Sequence, residues 1–108
     1  MKYNVDTIEY FEHQVKRLIK KYPSFINDLA LLIESLKNNP LQGASIGGNF
    51  YKIRMAITSK GKGKSGGARI IIYVKVKNKT VYLTSIYDKS EQETISSNEL
   101  NIILKQIP

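Results

Sequence analysis

The residues of this chain with chemistry to offer are mostly cations, and they gather between Tyr51 and Tyr73 in the stretch YKIRMAITSKGKGKSGGARIIIY. Two apolar-alternating runs flank a loop built almost wholly of Gly, Lys and Ser. Side chains alternate across a strand with period two, so Tyr51, Ile53, Met55 and Ile57 point one way while Lys52, Arg54, Ala56 and Thr58 point the other. In the second run Ile70, Ile72, Val74 and Val76 take the buried side and Arg69, Ile71, Tyr73 and Lys75 the opposite one. Fixed cations at the strand ends, with Lys60, Lys62 and Lys64 on a mobile loop between them, make a surface for an anion much larger than a metabolite. Tyr73 and Lys75 extend that surface along the strand.

Other chemistries lack their residues. The single histidine, His13, falls on the polar side of a helical stripe and reads as a surface residue. There is no cysteine, so a paired-histidine nuclease and a zinc site are both out of reach, as is a disulfide framework. The nine acids are scattered through the flanking segments, which argues against the converging carboxylates of a two-metal nuclease. RNA cleavage by such a chain would be metal-free and run by Lys, Arg and Tyr, with no cofactor. Residues 61–66, GKGKSG, satisfy G-x-G-x-x-G, but Thr58 stands where a Walker loop needs Gly, and from Ala68 onward the chain is β-branched rather than helical. Flexible amides beside lysines, suited to tracking a polyanion, are what remains of that match.

The elements that position these residues are legible from periodicity. A chain of 108 residues is one domain, spanning 1–108, with room for a helix layer on a sheet. The start MKYNVDTIEY has no apolar run long enough for a signal peptide or membrane span, so a soluble, cytoplasmic protein without a membrane partner is expected. Tyr3 to Val5 reads as a short edge strand. From Asp6 or Thr7 as N-cap, Ile8, Phe11, Val15, Leu18, Ile19 and Tyr22 form a helical stripe. Pro23 opens a second helix with the stripe Phe25, Ile26, Leu29, Leu32, Ile33, Leu36, ended by Asn38-Asn39-Pro40. Leu41 to Asn49 reads as a loop. Asn78-Lys79 is a short turn before a third long strand over 80–87. Ser90 with Glu93 and Ser96 with Glu99 both fit the capping box, the second opening a C-terminal helix through Leu100, Ile103, Leu104 and Ile107.

Charge reinforces the binding reading. The net charge is +8, and no acid stands between Glu34 and Asp88, a stretch that holds ten lysines and arginines. Such a one-signed block is the electrostatic footprint of a phosphate-backbone binder.

The segments FEHQVKRLIKKYPSF, GGNFYKIRMAI, SKGKGKSGGARIIIY, VYLTSIYDKSE and the closing IS..EL..IL resemble toxins of the RelE/ParE superfamily over nearly the whole chain, with KGKGKSGGAR and IYDKSE closest to the RelE and HigB-like branch. The resemblance implies an α+β fold: two N-terminal antiparallel helices packed on a small antiparallel sheet, with a C-terminal helix. It also implies an mRNA interferase that cuts messages on the ribosome and is silenced by an antitoxin protein. Lys52 and Arg54 match the family's strand cations, Arg69 the arginine opening the next strand, and Lys89 a late basic residue; the family's C-terminal tyrosine aligns with Ile95, and Tyr87 is the substitute. A ParE-type gyrase poison and a non-enzymatic basic RNA-binding module are the alternatives.

For those residues the fitting reaction is attack of a 2′-hydroxyl on the adjacent phosphate. Arginine stays protonated, so Arg54 and Arg69 clamp the phosphate and stabilise its extra charge. Crowding by like charges lowers a lysine pKa, which makes Lys52 the expected base, with Lys89 or Tyr87 as acid; Lys52 and Lys89 fit equally well exchanged. The antitoxin is expected to lay an acidic arm over this cationic face.

Overall fold

The computed structural model describes residues 2–108. Its centre is strand β5 (Thr80–Asp88), buried at all nine positions because it is covered on both faces and hydrogen-bonded on both sides. On one side it pairs antiparallel with β4 (Ala68–Lys75), which pairs with β3 (Phe50–Met55) and then β2 (Ala44–Gly47). On the other it pairs with β1 (Asn4–Thr7) in parallel, so the expected antiparallel sheet is a mixed one of five strands. The parallel pairing follows from connection: between β1 and the rest of the sheet lie two helices, long enough to carry the chain across and back.

Helix α1 (Glu9–Lys21) has Glu9 and Glu12 in its first turn and Lys20 and Lys21 in its last, matching the helix dipole at both ends. Neither Asp6 nor Thr7 caps it. Both are held extended in β1, and the N-cap is Ile8, whose buried side chain takes precedence over a polar cap. Helix α2 (Phe25–Asn38) follows Pro23 as expected and stops at Asn39-Pro40. Helix α3 (Ser97–Gln106) opens on Ser96, whose Oγ accepts the Glu99 amide at 3.1 Å. It returns to α1, where Tyr10 donates its hydroxyl to Glu99 and its amide to Gln106. Burial and the Glu99 carboxylate together push the Tyr10 phenol up to about 12. Leu18, Phe25, Leu36 and Ile103 are fully buried in one core with the sheet isoleucines, each contributing about 1.5–3 kcal/mol of transfer energy. No helix among the described residues is long and apolar enough to cross a membrane.

Three local expectations need correction. Residues 41–49 are not all loop: β2 pairs with β3 through a bulge between Ser45 and Gly47, and Gly48 and Asn49 turn the hairpin at φ +55° and +69°. ASIG, exposed throughout, shows no burial pattern to read; its pairing is all backbone. Val76 is exposed, because β4 ends at Lys75 and Val76–Asn78 forms a 3₁₀ turn closed by Lys79 at φ +49°. Ser90 and Glu93 open no helix; Ser90 donates instead to the Asp88 carboxylate, 2.7 Å away. A further irregularity lies in β5, where Thr84 is an extra residue opposite Ile71–Ile72. Its hydroxyl donates to the Ile71 carbonyl at 2.7 Å, and the Ile86 amide turns to Gln14 of α1.

Candidate functional site

Strand register gathers the predicted cations at one end of the sheet. Arg54 of β3 lies opposite Arg69 of β4, which lies opposite Tyr87 of β5; Lys52 is one pleat along, opposite Ile71. The chain beyond β5 is drawn in by the Lys89 amide, which donates to the Gly67 carbonyl at 3.0 Å. The result is a recess of about 200 Å³ lined by Ala44, Lys52, Arg54, Arg69, Lys89 and Glu93. Ala44, Lys52 and Arg54 also line an adjoining recess of about 410 Å³ with Gln42, Gly43, Ile53 and Lys64. Among the described residues Lys52 and Arg54 form no ion pair, and with four cations against Glu93 in its lining the recess is net positive.

Arg69 is held differently from the expectation of a free strand-end arginine. It is 6% exposed. Its Nη1 donates to the carbonyls of Lys64 at 2.9 Å and Ala68 at 3.2 Å, and its Nη2 to that of Ser65 at 3.4 Å. The guanidinium thus fastens the end of the cationic loop. Of an arginine's five N–H groups, these bonds leave Nε–H and one on Nη2 for a ligand. Gly67 makes the same junction possible: a Cβ there would sit 2.1 Å from the Met55 carbonyl oxygen. Gly67→Ala is therefore expected to destabilise the domain by roughly 1–3 kcal/mol, the cost of overpacking. Urea denaturation checks this, and an unchanged midpoint would mean the β3–β4 junction relaxes freely.

The loop's other end is fixed by buried chemistry. Asp88 is fully buried and accepts Lys60 Nζ at 2.8 Å, Ser90 Oγ and amide, and a short hydrogen bond from the Tyr22 hydroxyl. Burial alone would raise its carboxyl, but Lys60, Tyr22 and Ser90 together hold it well below the usual carboxylate range. Lys60 therefore sits in a buried ion pair, not on the mobile loop expected from its Gly-Lys surroundings. Beside it, Asp28 of α2 accepts the Thr58 amide and hydroxyl at 2.9 and 2.6 Å. Burial opposes ionisation of this carboxyl too, yet the Thr58 and Ser24 hydrogen bonds lower it overall. Only residues 61–65 project as an exposed loop, with Lys62 and Lys64 on it.

Three further predicted residues do not join the recess. Tyr87 is 3% exposed and its hydroxyl has no hydrogen-bond partner among the described residues. Burial pushes this phenol up, against the lowering influence of Arg69. Tyr73 packs edge-on against Phe50, ring centres 5.0 Å apart. Lys75 donates to the Pro108 carbonyl at 2.8 Å. Conversely, Glu93 and Gln42 reach the groove with no sequence signal to announce them. Glu93 fits a capping box with Ser90, a local pattern that masks its position across from β3.

A family model described as the RelE toxin of the RelE / RelB toxin-antitoxin system matches residues 10–107. Among solved structures, an arginine-to-alanine double mutant of the E. coli toxin RelE in the free state is similar with a TM-score of 0.65 at 16% identity, covering 100% of both chains. A crystal structure of the isolated E. coli RelE toxin gives 0.63 at 16% identity, covering 95% of this chain and 97% of that one. At such identity the likeness is one of fold.

Proposed function

Because the chain belongs to the RelE toxin family of toxin-antitoxin systems, we propose that it is a cytoplasmic mRNA endoribonuclease that cuts messages on the ribosome without a metal ion. The observation that carries this reading is the recess where Lys52, Arg54, Arg69 and Lys89 converge from β3, β4 and the chain after β5. Four cations around a space of that size suit a single phosphodiester whose charge rises in the transition state. Arg54 and the two unused donors of Arg69 hold the phosphate oxygens, Lys52 adds charge beside them, and Lys89 protonates the departing 5′-oxygen. The partner antitoxin, common to the family, is proposed to cover this groove with an acidic arm.

The test is cleavage of a ribosome-bound message by the purified toxin. Fragments should begin with a 5′-hydroxyl, and a message with 2′-deoxyribose at the cut position should survive. Fragments beginning with a 5′-phosphate would reject attack by the 2′-hydroxyl. RNA binding without product, or poisoning of gyrase, would replace the nuclease reading altogether.

The exposed loop makes a separate prediction. Lys62→Ser with Lys64→Ser should weaken RNA binding and reduce the log-log salt slope by roughly 0.7 for each single-strand phosphate no longer neutralised. Titration of binding against salt checks this, and an unchanged slope would remove the loop from the interface.

A further inference from the structure

Four acids follow one another from the end of β5 into α3, and three are spoken for. Asp88 is bound by Lys60, Tyr22 and Ser90. Glu91 is paired with Arg17 at 2.9 Å and Lys21 at 3.2 Å. Glu99 accepts from Tyr10 at 2.8 Å and Gln92 at 2.9 Å. Glu93 is the exception. Among the described residues its carboxylate has neither a hydrogen bond nor an ion pair, although it lines the recess with Lys52, Arg54, Arg69 and Lys89. Its backbone carbonyl accepts Lys89 Nζ at 3.1 Å, while its carboxylate makes no ion pair with that ammonium.

Cleavage through a 2′-hydroxyl needs a proton acceptor, and a general base must be unprotonated at the working pH. Ammonium and guanidinium groups carry their protons at neutral pH, whereas carboxylates do not. Lys52 and Arg54 from β3, Arg69 from β4, Lys89, and Lys64 from the loop supply only cations to the groove. The Tyr87 hydroxyl is sealed, and His13 is exposed on α1, lining a different recess with Glu9, Glu12 and Lys16. We infer that Glu93 is the general base of the reaction, in place of Lys52.

This inference rests on the nuclease reading above and names the group that reading leaves open. Glu93 takes the proton of the 2′-hydroxyl as the 2′-oxygen bonds to phosphorus. The bond from phosphorus to the 5′-oxygen breaks, and that oxygen takes a proton from the Lys89 ammonium. A 2′,3′-cyclic phosphate and a 5′-hydroxyl result. Glu93 then releases its proton to solvent and Lys89 regains one, so no other reactant is consumed.

The experiment compares wild type with Glu93→Gln and Glu93→Asp in single-turnover cleavage of a ribosome-programmed message, with RNA affinity measured on the same variants. Glu93 is exposed, so both variants should fold. Glu93→Gln should cleave roughly 10²- to 10⁴-fold more slowly, the range of a lost general base, while binding RNA as tightly or more tightly because a negative charge has gone. Glu93→Asp, which keeps a carboxylate on a shorter stem, should retain far more of the wild-type rate than Glu93→Gln. A Glu93→Gln variant that cleaves as fast as wild type, or faster, would overturn the inference, since the carboxylate would then merely repel substrate. A loss of cleavage matched by an equal loss of affinity would overturn it too. Absence of cleavage by the wild type would reject the nuclease reading and this inference with it, whereas wild-type cleavage with an unaffected Glu93→Gln rejects this inference alone.

Discussion

Asp88→Asn is expected to lower the unfolding free energy by on the order of 3–5 kcal/mol, the usual penalty for leaving one member of a buried ion pair without its partner. The amide would keep the shape but leave the Lys60 ammonium, 2.8 Å away, without compensating charge, and would weaken the hydrogen bonds from Tyr22 and Ser90. For a domain whose total stability is about 5–15 kcal/mol, that is a large share. Asp88→Asn combined with Lys60→Met should cost less than Asp88→Asn alone, because no charge is then stranded while the amide oxygen still accepts from Tyr22 or Ser90. Denaturant titration of the three proteins decides the matter, and an Asp88→Asn midpoint equal to wild type would show that Lys60 can reach water. The pH dependence has a definite sign. The folded-state pKa of Asp88 is lowered from its ordinary value, so its contribution is fully present above the unfolded carboxyl value of about 3.9 and is lost as pH falls from there toward the folded one. Asp88→Asn should abolish that part of the acid sensitivity.

Arg69→Lys should leave the domain folded and reduce single-turnover cleavage by roughly 10²- to 10³-fold, as for a deleted transition-state donor. Two losses combine. A lysine cannot present the planar pair of donors that binds two phosphate oxygens at once. It also cannot hold the Lys64, Ala68 and Ser65 carbonyls together while doing so. Hydrogen exchange separates the two: amides over 62–67 should exchange faster in Arg69→Lys if the guanidinium fastens the loop. Near wild-type cleavage by Arg69→Lys would reject bidentate binding of the phosphate. Slow cleavage with unchanged exchange would confine the effect to the phosphate itself.

The sequence alone was enough for the amphipathic helices, the long strands, the Ser96 cap and the one-signed cationic block, because each is a local pattern: a period of 3.6 or 2, a capping pair, a run without acids. It was also enough to set Lys52, Arg54 and Arg69 on the polar face of one hairpin, since period-two alternation leaves no other arrangement once Ile53, Met55, Ile70 and Ile72 are inside. β2 leaves no mark on the sequence because an exposed edge strand is held by backbone hydrogen bonds that side-chain pattern does not record. What belonged to tertiary structure was the fate of each individual charge. Lys60 and Lys62 are two residues apart in the same glycine-rich run, yet one is mostly buried against Asp88 and the other is exposed. Glu91 and Glu93 are just as close, yet one is paired with α1 and the other faces the cations of β3 and β4. Whether a charge is free to meet a substrate depends on partners distant in the chain, brought near only when the helices, the sheet and the segment after β5 pack together.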